Sequence, residues 1–592
     1  MIQIKINRYF FLILLMLSIF SIGVNAKNMM AIYTYQTNGT SRVTILHQIA
    51  SIDSLKYDAD SMYIYKGGVT SFRYNAYILS KIDSIKYTTA TAWTDSLTPA
   101  IDVTSGGVIG DGVTNNKSKI NTLATQARAI SANLYFPDGN YLCNGNIDGW
   151  YLRFVGQSKS GTIIKDSDAT KEHSVDGADN ITFLDAFMTD FYWDYAKNNV
   201  SLNSRTFLKR TFNNCIFKTT LSGFTQTVYS GEYNLYAGVE YTGCDFINPA
   251  AQYTGILLRK FSSVLIKDCV FAESGHPIYF QAGLPNAKIE VIGNTVNGGT
   301  TGIFFQGNKD IPFVGALIQG NTVNNVVEEG IAVDGIGNDK GLVPVVCNGT
   351  MGSITNNAQG QPIINVAAMI DSYSRDSIMN IVSEIGDLKN YYFSFGRATG
   401  LEGKVIKIAD YSVANQTVTL DTVLLASAIT AGGFGGIQGG FFNFHIIGNS
   451  LNNILGTNNA YGTAISAYLN SFGFLIENNT VTNCAHGINV AGGLMLSVTH
   501  TLAYNNTVRN NTFINCDKYV AGVPTTEKGT VRFLSYYADP TTGPFQYNNS
   551  FTGNSVNYGG LYIQNQQNMI FQNNTIDTAN TIYLESNSTV IK

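Results

Sequence analysis

Between Gly255 and Gly335 the apolar and polar positions repeat. Gly255-Ile-Leu-Leu-Arg259, Gly302-Ile-Phe-Phe-Gln306 and Gly330-Ile-Ala-Val-Asp334 can be laid on one another, and Pro277-Ile-Tyr-Phe-Gln281 fits between the first two. Each is a short apolar strand. Each follows a second strand that ends in a small polar step: Asp268-Cys-Val, Asn294-Thr-Val, Asn321-Thr-Val. The period is about 25–28 residues. A unit of that length with two or three strands cannot bury its apolar face alone, so it must stack on its neighbours. The pattern predicts an all-β chain wound as a right-handed parallel β-helix, with any function on its outer face.

The polar steps continue at Asn449, Asn479, Asn511, Asn554 and Asn574. Asn suits the sharp bends of such a coil, because it tolerates the left-handed region and bonds nearby backbone. Stacked from coil to coil, these residues should form an amide ladder. Between Asn321 and Asn449 the spacing jumps, so a β-rich subdomain over about 340–442 is inserted into one coil. Lys404-Val-Ile-Lys-Ile408 and Thr417-Val-Thr-Leu420 alternate as strands within it. Long excursions from rigid scaffolds commonly carry binding function. From Asp166 to Asn248 the coils are irregular and rich in rings, which serve either as sugar-stacking surface or as core of a widened coil.

Two segments precede the coils. Residues 1–26 read as an export signal: Lys5 and Arg8, an apolar run from Phe10 to Ile22, then Val24-Asn25-Ala26. The expectation is a secreted chain, periplasmic, cell-surface or extracellular. Residues 27–92 form a small duplicated β module, with Ile-Asp-Ser steps beginning at Ile52 and Ile82. Its role is expected to be structural. The β-helix is expected over 93–592.

Composition narrows the partners. Charged residues are only 13% of 592, and the formal net charge is −4, which leaves no basic footprint for nucleic acid. No later stretch is apolar for ~18 residues, so no membrane span is expected. Seven cysteines are present, and Cys215, Cys244 and Cys269 fall at one point of successive coils, as do Cys484 and Cys516 at another. That placement predicts buried thiols rather than disulfides. No CxxC pair or His-rich cluster accompanies them, so no metal site is expected.

Ile101-Asp-Val-Thr-Ser-Gly-Gly-Val-Ile-Gly-Asp-Gly112, a helix over Lys119–Ile130, and Leu134-Tyr-Phe-Pro-Asp-Gly-Asn-Tyr141 follow in order. This opening resembles that of the pectate-lyase-superfamily β-helix, shared by polygalacturonase-type glycoside hydrolases and phage tailspikes. The preceding module resembles the small N-terminal one of secreted Bacteroidetes proteins. The resemblance covers about 60 residues. It implies carbohydrate metabolism, namely polysaccharide degradation by hydrolysis or by lyase chemistry. Asn115-Asn116 departs from the acidic residues usual there, a change in the cap and not in the cleft. The helix should cover the open end of the coils.

Strand alternation selects the outer face. Arg259, Gln281, Gln306, Asp334 and Tyr468 form one outward column, and Tyr279 and Phe304 the adjoining one. His276, Glu328, Glu329 and His486 lie at the preceding corner. Such a mixture suits a sugar chain: amides and carboxylates bind hydroxyls, and rings cover apolar sugar faces. Glycoside hydrolysis needs two carboxyl groups ~5–10 Å apart. Asp334 is the best-placed candidate. Glu329 points inward by strict alternation unless the bend resets the phase, and Asp339 could curl back past its turn. Arg259 and Lys260 are the adjacent basic pair that β-elimination of a uronate would require. No cofactor is expected for hydrolysis, whereas Ca²⁺ would accompany a lyase. The polysaccharide partner is therefore expected to be hydrolysed. The alternatives are a polysaccharide lyase, or a non-catalytic glycan-binding surface protein.

Overall fold

The computed structural model describes residues 99–167, 172–189, 208–220, 226–230, 236–248, 254–258, 261–273, 275–281, 283–307, 312–334, 346–371, 382, 387–456, 462–468, 470–495, 498–517, 529–535, 546–577, 582–584 and 588–591, and before them the strands of residues 2–88. The chain falls into two compact units, Met1–Val228 with Glu240–Ile247, and Tyr229–Val239 with Asn248–Lys592.

The first unit opens on antiparallel strands. Met29–Tyr35 lies between Arg42–Gln48 and Ile82–Thr88, while Ser54–Asp58, Ser61–Tyr65 and Asn75–Ile78 make a second small sheet. This region is continuous with the coils. Arg42–Gln48 pairs with Ala100–Asp102, which pairs in parallel with Asn133–Phe136. Ile2–Lys5 also pairs, antiparallel, against Ile82–Thr88. Residues 6–28, which hold most of the expected export signal, lie outside the described residues.

The helix Lys117–Ala129 turns Ile120, Leu123, Ala124 and Ala127 onto the first coil strands, including Asn133–Phe136 and Asp148–Gly156. Buried Asn116 holds its start. Its Oδ1 accepts from the Ile109 N–H at 2.9 Å, and its Nδ2 donates to the Ile109 and Thr114 carbonyls at 2.8 and 2.9 Å. An ionised Asp has no donor to offer there, which gives the Asn a physical reason. Further along, the described rings are core. Phe183, Phe217 and Phe246 stack at 5.4 and 4.9 Å, and Phe212 stacks on Tyr241 at 5.3 Å. Phe191–Tyr195 lie outside the described residues.

The second unit is a parallel β-helix. Strands such as Phe261–Lys267, Val270–Glu273 and His276–Phe280 follow one another around a coil. Each pairs in parallel with its counterpart one coil on. Inward residues stack as like on like: Ile278, Ile303, Ile331, Ile465 and Ile488 share one register and are all buried. This is how a repeat that cannot fold alone gains a continuous core.

At one bend the amides form a ladder. Asn294, Asn321, Asn449, Asn479, Asn511 and Asn554 each donate from Nδ2 to the Oδ1 of the next, the last to Asn574, over 2.9–3.2 Å. The ladder residues themselves are not left-handed. That conformation falls on the residue before each, Gly293 (φ 66°), Gly320 (φ 64°), Gly448 (φ 63°), Asn478 (φ 56°) and Asn510 (φ 55°). The division of labour has a cause: the preceding residue turns the chain, and the ladder Asn spends its amide on the neighbouring coils. All seven cysteines are buried, free thiols.

The excursion between the strands Glu329–Asp334 and Phe441–Ile447 contains an eight-stranded antiparallel-paired sheet running from Val346 to Gln438. The coil resumes at Phe441, which stacks on Phe313 of the coil before at 5.7 Å. Phe441 and Phe442 thus belong to the solenoid. The excursion also covers part of that solenoid. Tyr392 stacks on Phe442 at 4.0 Å, and Tyr392 and Val405 pack on the cluster of Phe442, Phe472, Leu502, Tyr504 and Tyr547. Asn470 Nδ2 donates to Gln438 Oε1 at 3.3 Å. The segment thus packs on the solenoid through Tyr392 and Val405.

Candidate functional site

The strands His276–Phe280, Thr301–Gln306, Glu329–Asp334, Thr463–Tyr468, His486–Met495 and Val531–Ser535 lie side by side in register. Their outward positions form three columns. The middle column reads Tyr279, Phe304, Ala332, Ser466, Asn489 and Arg532. The column after it holds Gln306 beside Asp334, and the corner column holds His276, Thr301, Glu329, Thr463 and His486. Neighbouring rungs are ~4.8 Å apart.

Corner residues share a face with the middle column, contrary to strict alternation. The His276 ring lies 5.3 Å from Tyr279 and 5.4 Å from Phe304. His486 bonds Arg532. On the Glu329 coil, two successive residues, Gly330 and Ile331, are taken up by the interior. A Cβ on Gly330 would sit 2.6 Å from the Ala464 carbonyl. That tight inward corner resets the phase, so Glu329 joins Ala332 and Asp334 on the outside.

One end of the face is aromatic. Tyr279 and Phe304 stack at 4.9 Å and 12°. Tyr279 Oη donates to Gln306 Oε1, and Gln281 Nε2 donates to Tyr279 Oη at 2.7 Å. Burial lowers the His276 pKa, against a backbone contact with Thr301 that raises it.

Next come the acids. Glu329 is partly exposed as a residue, but its carboxyl is desolvated and its pKa is pushed up to about 8. Burial is the largest cause, followed by the negative charge of Asp334, with Glu328 adding less. The Ser466 hydroxyl pulls the other way without a hydrogen bond of full geometry. Burial also raises Glu328. Between Glu329 and Asp334 the floor is Ala332, fully buried.

Beyond them lies a cation that sequence reasoning missed. Arg532 is 5% exposed, and its Nη1 lies 3.2 Å from His486 Nε2. His486 Nδ1 lies 2.8 Å from the Gly529 carbonyl. Burial, then the Arg532 charge, hold the His486 pKa down to about 3. The imidazole is therefore neutral: Nδ1 carries the proton to the carbonyl, and Nε2 accepts from the guanidinium. Asn489 and Arg532 could have been found by carrying the outward alternation past the excursion.

Thus the structure brings together Glu328, Glu329, Asp334, Gln306, Gln281, Tyr279, Phe304 and His276. Tyr468 ends its strand two positions after Ser466, in register with Ala491. Arg259, Lys260 and Asp339 lie outside the described residues. No group of three or more His, Cys, Asp or Glu able to hold a metal occurs among the described residues. No helix among them is long and apolar enough to cross a membrane.

No curated protein matches the chain. Among solved structures, a GH87 α-1,3-glucanase from Streptomyces thermodiastaticus is similar at TM-score 0.37 and 9% identity, over 95% of this chain and 87% of that one. A family 28 exopolygalacturonase from Yersinia enterocolitica is similar at 0.36 and 10%, over 93% and 85%. The A-module of a mannuronan C-5 epimerase from Azotobacter vinelandii gives 0.29 and 11%, over 83% and 97%. A family model described as rhamnogalacturonase A/epimerase, pectate lyase-like, matches residues 100–332, ending on the strand that carries the two acids.

Proposed function

We propose that this chain is a carbohydrate-active enzyme that hydrolyses glycosidic bonds on the outer face of its β-helix. One observation carries the reading. Two carboxyl groups, Glu329 and Asp334, flank buried Ala332 on one strand, and Glu329 is pushed up to about 8, by burial first and then by the charge of Asp334. Carboxyls whose environments separate their pKa values divide into acid and base. Glu329 keeps its proton at neutral pH and gives it to the leaving oxygen. Asp334 activates the water. The pectate-lyase-like match over residues 100–332 supports the choice of substrate class.

Five residues of extended strand span roughly 16 Å between Cα atoms. An inverting pair needs its carboxyls ~6.5–9.5 Å apart with water between them, so this reading requires both side chains to incline toward Ala332. The test is a screen on plant, algal and host glycans, read by new reducing ends, by absorbance of unsaturated uronates, and by NMR of the first product anomer. Reducing ends with inverted configuration and no unsaturated product are expected. Unsaturated product would replace this reading with a lyase. Neither signal would leave a glycan-binding surface protein. We further propose export, on the pattern of residues 1–26, and a supporting role for residues 27–92.

A further inference from the structure

The Asn ladder at the bend has a sense: each Nδ2 donates forward, to the Oδ1 of the next coil. The outer face carries a shorter run with the same sense. Gln281, Gln306 and Asp334 follow one another in one column, since Phe280 pairs with Phe305 just before the two glutamines, and Gln306 pairs with Asp334. Gln281 Nε2 donates to Gln306 Oε1 at 3.4 Å. Tyr279 reinforces that step. Its Oη accepts from Gln281 Nε2 at 2.7 Å and donates to the same Gln306 Oε1. The phenol is itself held, because its ring stacks on Phe304 at 4.9 Å. Gln281 is 6% and Gln306 7% exposed, so little water competes for these bonds.

Two donors on one oxygen fix the direction of the Gln306 amide. A primary amide carries its acceptor and its two donors on opposite sides of one planar group. With Oε1 turned back to the Tyr279 coil, Nε2 is turned forward, to the coil of Asp334, ~4.8 Å on. At that rung the run of amides ends on a carboxyl group. An N–H given to a carboxylate makes a stronger bond than one between neutral groups, and hydrogen bonds in series polarise one another. A carboxyl held in this way presents its other oxygen in a set direction, which is what a base acting on water requires.

We propose that Gln306 is the positioning residue of Asp334, with Tyr279 and Gln281 setting the direction of its amide. Its role in turnover rests on the hydrolase reading. The hydrogen bond does not.

The test has a kinetic arm and a spectroscopic one, both on the full chain. Gln306→Glu keeps the shape and an acceptor for Tyr279 and Gln281, but a carboxylate has no N–H to give Asp334. It should lower kcat about tenfold to a hundredfold, the worth of a hydrogen bond to a charged group, with KM little changed. Tyr279→Phe keeps the ring on Phe304 and removes only the hydroxyl, so it should lower kcat by less, again with KM little changed. For the second arm the glutamines are labelled with ¹⁵N. The side-chain NH₂ resonance of Gln306, assigned by its loss in Gln306→Asn, should shift in Asp334→Asn and in Tyr279→Phe. Circular dichroism checks that each variant folds. Should Gln306→Glu unfold, Tyr279→Phe and the resonance decide. A Gln306 resonance indifferent to Asp334→Asn, or an unchanged kcat in Gln306→Glu while Asp334→Asn abolishes turnover, overturns the proposal and leaves the hydrolase reading standing. If the resonance responds but Asp334→Asn keeps full turnover, the hydrogen bond stands and the hydrolase reading falls.

Discussion

Glu329→Gln and Asp334→Asn should each lower turnover by about 10²–10⁴, the usual contribution of a positioned acid or base, with the Michaelis constant little changed. The reason is geometric. Both acids sit on one rigid strand with a buried alanine between them, so the scaffold sets their positions. The pH profile should carry the Glu329 signature: activity should fall on the alkaline side near pH 8 as Glu329 loses its proton. Stability should move the opposite way from activity in Glu329→Gln. A carboxyl whose folded pKa lies above its ordinary 4.5 binds more protons in the folded chain than in the unfolded one between pH 4.5 and about 8. Stability therefore falls as pH rises through that window. Gln removes the titration, so the variant should melt higher than the parent at pH 9 and equally at pH 4. Full activity in either variant would remove the pair from the chemistry. A melting temperature unchanged at pH 9 would remove the burial argument for Glu329.

Asn449→Ala should cost about 4 kcal/mol of stability, from two or more buried groups left unpaired at ~1–3 kcal/mol each. Asn449 is the rung on which the ladder crosses the excursion. Its Oδ1 accepts from both the backbone N–H and Nδ2 of Asn321, each at 2.9 Å, and its own Nδ2 donates to the Ile318 carbonyl at 3.0 Å and to Asn479. Alanine strands these groups in the interior. Asn574→Ala, at the ladder's last rung, should cost less, because Asn574 is itself only part-buried and water can take its place beside Asn554. Chemical denaturation of the two variants reads the difference. Equal losses would mean that the ladder is not the source of its own stability.

The coils were legible because their physics is local and repeated. Gly302-Ile-Phe-Phe and Gly330-Ile-Ala-Val carry an apolar residue at the same inward register, and the Asn steps recur at the same bend. A solenoid needs little more than that. Asp334, Gln306, Tyr279 and Phe304 followed by simple alternation along a strand. Glu329 did not, because its direction depends on how Gly330 enters the corner against the Ala464 carbonyl, a contact with the next coil more than a hundred residues on. Composition could not separate the two acids either. Burial raises Glu329 first and the charge of Asp334 adds to it, and burial exists only after the coils have stacked.

The excursion shows the same limit. Its presence was visible as an interruption in the spacing of Asn321 and Asn449, and its strands as alternation near Lys404 and Thr417. That Tyr392 stacks on Phe442, and that the segment packs on the coils, depends on a docking of surfaces far apart in sequence. Arg532 belongs here too. Alternation assigns it an outward position, but nothing in its own strand says that His486 will hold it. By itself the sequence determined the period, the inward and outward faces and the bend residues, since each depends on a few neighbouring positions. Tertiary structure decided which outward groups meet, which lose water and which proton stays, because those quantities depend on the distance between coils.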